Sequence, residues 1–147
     1  MGNRLLTRWL ESRSPGSGPN ISGIVFSAAD VDSDVFESRL TCLRENCEHA
    51  TLYSSSGDIA VFASKLLHRH SRAGYLPPVT IVEGCDTIEV RGLDMFSLGH
   101  SYFGDKAALL HDKYVFFHYG IRAEQRQRSL KAQSESSSPY WILNLHD

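Results

Sequence analysis

Two residues in this sequence stand where an acid and a base can cooperate. Asp58 closes the run Ser54-Ser55-Ser56-Gly57-Asp58, between a β-branched, aromatic stretch and an apolar-periodic one. It therefore falls at the carboxyl end of an expected strand and the start of an expected helix. A carboxylate there can cap the helix by accepting backbone N–H bonds, or it can orient an imidazole. His100 lies in Gly99-His100-Ser101-Tyr102, after the next strand-like run. The glycine permits close approach, the tyrosine can wall a site, and an imidazole exchanges protons near neutral pH. An acid after one strand and a histidine after the next is a chain order in which a triad can be assembled on a parallel sheet, the nucleophile coming earlier still.

Other clusters carry weaker chemistry. Asp30, Asp32 and Asp34 alternate as calcium ligands do, but a calcium loop starting at Asp30 needs glycine where Val35 stands and glutamate where Thr41 stands. Asp30 follows an expected strand and is the second choice for the acid. Cys42, Cys47 and His49 lack a fourth ligand at zinc spacing, and three cysteines with Cys85 make no disulfide framework. His68 and His70, two apart, do not share a helix face. His111, His118 and His146 have no matching ligand partners. No metal or cofactor is implied. Arg122, Arg126, Arg128 and Lys131 suggest a basic face, but Glu124 interrupts it and a solvated helix accounts for it.

The elements that must position Asp58 and His100 alternate. Residues 2 to 12 place Leu5, Leu6, Trp9 and Leu10 on one helical face, and SRSPGSGPN ends that helix. Ile24-Val25-Phe26 reads as a short buried strand. A helix over about 34 to 46 follows, capped by Ser33 or Asp34, with Val35, Phe36, Leu40 and Leu43 as its stripe. ATLYSSSGD and IAVFASKLLHRH repeat strand and helix. VTIVEG and DTIEVRGL are β-rich, DTIEV being the likelier sheet strand, and DKAALLHDKYVFFHYG is a last long helix. Residues 122 to 138 are polar and linker-like, and Tyr140 to Leu143 form an apolar cluster that must dock on the body. The expected fold class is α/β, a mostly parallel sheet flanked by helices in a single domain over 1–147, with function at the strands' carboxyl ends.

Composition narrows the partners. At 41% hydrophobic and 22% charged, the 147 residues suit one globular core. A net charge of -2 with scattered arginines disfavours nucleic acid. No apolar run approaches the roughly 18 residues of a membrane span, and the start lacks a signal peptide's build, so the chain as written reads as cytoplasmic. Leu6 stands where a myristoylation motif wants Ser or Thr.

The opening Met1-Gly2-Asn3, set directly against an amphipathic helix, is built like the second half of a G-x-S-x-G nucleophile elbow. Together the pieces MGNRLL, SAADVDSDVF, TLYSSSGDIAVFASKLLH, RAG and GHSYF resemble, in order, an uncharacterised α/β-hydrolase family of the esterase/lipase superfamily. The resemblance runs from Met1 nearly to Trp141. It implies that Asp58 is the triad acid, His100 the base and the Met1 backbone N–H an oxyanion donor. The family's elbow typically reads His-Ser-Met-Gly-Asn, so the serine would precede Met1. The expectation is then a truncated hydrolase domain with an incomplete sheet, acting on small carboxylic esters only when complete. The alternative is a noncatalytic remnant or partner-binding module, and an open sheet edge would favour self-association.

Overall fold

The computed structural model describes residues 2–14, 20–41, 43–56, 71–92, 106–126, 130–135 and 138–145. Helix α1 (Gly2–Glu11) is followed by strand β1 (Ile21–Ser27), helices α2 (Ser33–Arg39) and α3 (Leu43–Asn46), and strand β2 (Cys47–Ser54). Strand β3 (Cys85–Arg91), helix α4 (Ala107–Tyr119), a 3-10 turn (Ala123–Arg126) and strands β4 (Lys131–Glu135) and β5 (Ser138–Asn144) complete the order. The sheet runs β1-β2-β3-β5-β4. The first four are mutually parallel, and β4 runs antiparallel to β5 at the edge.

Alternation along the strands sends side chains to opposite faces, and each face has its own core. On one face Ile24 and Phe26 of β1, Ala50 and Leu52 of β2 and Cys85 of β3 pack with Leu10 of α1, Phe36 of α2, and Leu40 and Leu43. Phe36 meets Phe26 edge to face, centroids 5.0 Å apart. Such a pair adds about 0.5–1.5 kcal/mol to what burial of the rings contributes. On the other face Tyr53, Ile88, Val90, Trp141 and Leu143 pack with Leu109 of α4 and Ala123. Helix α4 lies close enough to β1 that a Cβ on Gly23 would stand 2.9 Å from the Phe116 ring. The helix ends at Gly120, whose φ of 60° suits the left-handed cap that closes helices.

The structure departs from the sequence expectations in five places. The single helix expected over 34–46 is two, because Leu40 leaves α2 at a C-cap and Leu43 starts α3; both leucines are buried. The N-cap of α2 is Asp32, not Ser33 or Asp34, and its side chain makes no capping bond. The apolar face of α1 is split: Leu6 and Leu10 face the core, whereas Leu5 and Trp9 are exposed, with Arg13 4.7 Å above the Trp9 ring. The Tyr140–Leu143 cluster is an inner strand, β5 pairing Ile88 with Trp141 and Val90 with Leu143. Within the stretch whose composition reads as a linker, Ala123–Arg126 forms a 3-10 turn and Lys131–Glu135 forms β4. DTIEV is in β3 as expected, while VTIVEG contributes an isolated bridge between Val82 and Cys85.

Burial sets a pH dependence. It pushes the Cys85 thiol and the Tyr53 hydroxyl well up, the Asp112 carboxylate adding to the effect at Tyr53, and it raises the Cys47 thiol. Groups raised in the folded state stabilise it fully below their unfolded values, and that contribution is lost as pH rises past them. Lys113, lowered by burial, works in the opposite direction. Urea unfolding should therefore show stability falling above pH 9.0, the ordinary thiol value. Each fully buried thiol contributes about 1.4 kcal/mol per pH unit. Cys85→Ala should flatten the slope by about that amount, and a flat profile between about pH 8 and 10.5 in the parent chain would contradict it.

Candidate active site

Ligands of open α/β sheets bind outside the carboxyl ends of the strands, and here that rim is built from three segments of chain. The first follows β1. Ala28 takes a φ of 47°, a left-handed conformation that costs a residue with a Cβ about 1–2 kcal/mol and turns the chain sharply off the strand. Asn3, in the first turn of α1, donates from Nδ2 to the Ser27 carbonyl at 2.8 Å and so ties the start of α1 to the end of β1. The second segment is Ser54-Ser55 at the end of β2.

The third segment, Arg72-Ala73-Gly74, threads between the other two. The Gly74 N–H donates to the Ala29 carbonyl at 3.0 Å, and the Gly74 carbonyl accepts from the Ser55 N–H at 3.0 Å. The Ala73 N–H donates to Val31 O at 2.9 Å, and Ser54 Oγ donates to Ala73 O at 3.1 Å. A Cβ at Gly74 would lie 2.3 Å from the Ala29 nitrogen, so only glycine fits. Arg72 is buried and reaches both acids of the first segment, Asp30 at 3.4 Å and Asp32 at 3.3 Å. The loop after β1 is thereby fixed to the end of β2.

Asp30, the second-choice acid, sits on this rim with its side chain partly exposed. Arg4 approaches its Oδ2 at 3.3 Å and donates from Nε to its backbone carbonyl at 2.9 Å. Asp58, His100 and Met1, the triad acid, base and oxyanion donor implied by the resemblance, lie outside the described residues. The strands that lead toward Asp58 and His100 are β2 and β3, adjacent and parallel, with Tyr53 opposite Ile88 and Ser54 opposite Glu89.

A second polar cluster, on the α4 face of the sheet, escaped sequence reasoning. Tyr53 donates its hydroxyl to Asp112 Oδ2, which also accepts from Arg126 Nη1 at 2.7 Å. Arg126 Nη2 donates to Thr51 Oγ1 at 3.0 Å. Asp86, opposite Thr51 across the strands, accepts from Arg122 Nη2 at 2.6 Å and from the Ala123 N–H at 2.7 Å. The bond to Asp86 raises the Arg122 pKa further above its ordinary value. Arg126 is buried between Asp112 and the Phe116 ring at the end of a 3-10 turn, which corrects the reading of a solvated helix there. The signal was present: Asp112 interrupts an apolar helix, and Thr51 and Tyr53 alternate in an otherwise apolar strand.

A mostly parallel sheet flanked by helices, with the carboxyl ends of β1 and β2 braced by a tight glycine contact, has the build of the closing part of an alpha/beta hydrolase domain. The chain belongs to the family described as alpha/beta hydrolase of unknown function (DUF900), whose model matches residues 1–116. No curated protein and no solved structure matches it. Among the described residues, no helix is long and apolar enough to cross a membrane, and no three His, Cys, Asp or Glu side chains are grouped to hold a metal ion.

The buried cluster predicts an asymmetric mutational response. Asp112→Ala leaves the buried Arg126 guanidinium with Asp86 at 4.0 Å, itself held by Arg122, as its remaining counter-charge and should cost about 3 kcal/mol or more in urea unfolding. Tyr53→Phe removes one donor while keeping the ring and should cost about 1 kcal/mol. Equal losses in the two variants would contradict a charge-centred cluster.

Proposed function

We propose that the chain forms the acid and base portion of a serine hydrolase acting on small carboxylic esters. The observation that carries this reading is the adjacency of β2 and β3 in parallel register within a sheet of the alpha/beta hydrolase family. In the sequence Asp58 stands four residues after Ser54 and His100 nine after Arg91, the last residues of two neighbouring parallel strands. In this reading His100 takes the proton of an attacking serine hydroxyl and returns it to the leaving alcohol, while Asp58 fixes the imidazole tautomer. The Met1 N–H stabilises the oxyanion. Asp30, engaged by Arg4 and Arg72, serves the rim's structure, which leaves the acid's role to Asp58.

The nucleophile has no counterpart among these 147 residues in this reading, and loss of a triad nucleophile removes several orders of magnitude of turnover. The chain as written should show no fluorophosphonate labelling above a heat-denatured control. Expressed with the coding sequence in frame upstream of Met1, it should label, and both Ser→Ala at the restored elbow and His100→Ala should abolish labelling. An extended chain that stays unlabelled removes the hydrolase reading.

A second reading is a noncatalytic, partner-binding module. It is favoured by the outer edge of β1, which pairs with β2 on one side and with no strand among the described residues on the other. The exposed Leu5, Trp9, Leu110 and Phe117 add to it. Unpaired edges of this kind template strand addition. The isolated chain should then elute as a dimer or larger species in size-exclusion chromatography at micromolar concentration. A monodisperse monomer with a cooperative melt would contradict this.

A further inference from the structure

A concavity of about 290 Å³ opens between α1, the loop after β1 and the end of α2. Arg4, Arg8, Arg39 and Arg72 line it above Val31 and Val35, with Asp32 the one carboxylate of the lining. Arg4 and Arg8 are four apart on α1 and so share a face, an arrangement of like charges that destabilises a helix unless an anion lies between them. The carboxylates nearby answer only part of this charge. Glu11 takes Arg39 at 3.1 Å, and Asp30 is shared between Arg4 at 3.3 Å and Arg72 at 3.4 Å. Among the described residues Arg8 forms no ion pair.

Arg72 supplies an independent observation. Its side chain is 2% exposed, and its two ion pairs are loose: Nε stands 3.4 Å from Asp30 Oδ1 and Nη1 3.3 Å from Asp32 Oδ1, with no well-aligned hydrogen bond at Nε or at Asp32 Oδ1 among the described residues. Asp30 is drawn toward two guanidiniums at once. An external anion that takes over Arg4 and Arg8 leaves Asp30 to Arg72, so that ligand binding and satisfaction of the buried guanidinium occur together.

We propose that this concavity binds a phosphoryl group, as inorganic phosphate or a phosphate monoester. Guanidiniums converge on it from α1, from the end of α2 and from the Arg72 brace. Together they offer more donors than the two oxygens of a carboxylate accept, and the three terminal oxygens of a phosphoryl group match them. Val31 and Val35 give the ester carbon an apolar wall. The site lies on the ligand-binding rim but uses none of the residues assigned to ester hydrolysis, so it stands or falls separately from that reading.

The test uses the full chain as it stands, titrated calorimetrically with inorganic phosphate, phenyl phosphate and acetate, against sodium chloride at matched ionic strength. Saturable phosphate binding is expected, phenyl phosphate binding at least about threefold tighter and acetate about tenfold weaker or worse. Arg8→Gln changes an exposed side chain outside the core and should weaken phosphate binding about tenfold, with the thermal melt in chloride unchanged. Arg39→Gln should weaken it as well. Tighter phenyl phosphate binding identifies a monoester as the ligand, and equal affinities identify free phosphate. No saturable binding above chloride, acetate binding as tightly as phosphate, or unchanged affinity in both variants would overturn the proposal.

Discussion

The approach of Gly74 to Ala28 and Ala29 is the constraint on which the rim depends. With no room for a Cβ, the Arg72-Ala73-Gly74 segment lies against the chain leaving β1 and bonds on its other side to the end of β2. The left-handed turn at Ala28 persists because these bonds over-determine it; strained backbone survives where its surroundings leave no alternative. Arg72 then reaches Asp30 and Asp32, and Asp32 is the residue that starts α2. A side chain committed to an arginine is not free to cap its own helix, which is why α2 begins without a side-chain cap. One missing methyl group thus links two strand ends, a helix start and an ion cluster.

The opposite face is held by a different means. Asp112, Arg126, Thr51 and Tyr53 bring α4 and the following turn onto β2, and Asp86 holds the same turn from β3. Buried charges of this kind contribute little net stability compared with apolar packing, but they tolerate few geometries. Helix α4 is apolar around most of its circumference and could slide over a purely apolar sheet. Asp112 gives it a single seat.

Much of the fold was legible because periodicity reports burial. Ile24 to Phe26, the run into Ser54 and DTIEV were readable as strands, and α1 and α4 as helices, from local pattern alone. The inner strand β5 was not, since an apolar run near a terminus reads equally as a docking tail until its partner β3 is known. The break between α2 and α3 was hidden because Leu40 and Leu43 keep the helical spacing across it. Of the site, the rim was foreseen by topology, and Arg72-Ala73-Gly74 had weight only as a piece of family resemblance. The reason for its glycine is a contact with residues more than forty positions earlier, which no local window contains.

The position of β5 also sets an order of events. Strands adjacent in sequence are usually neighbours in space, but β3 pairs with a strand whose partner residues lie 53 positions further along, as Ile88 does with Trp141. During synthesis the sheet can grow from β1 through β3 and then stops, with the β3 edge open until the ribosome has released the region around Trp141. Closing so long a loop is slow, and an apolar strand edge left waiting is open to the wrong partner. Among the described residues, the strand that closes the β3 edge is thus made long after the strand it pairs with.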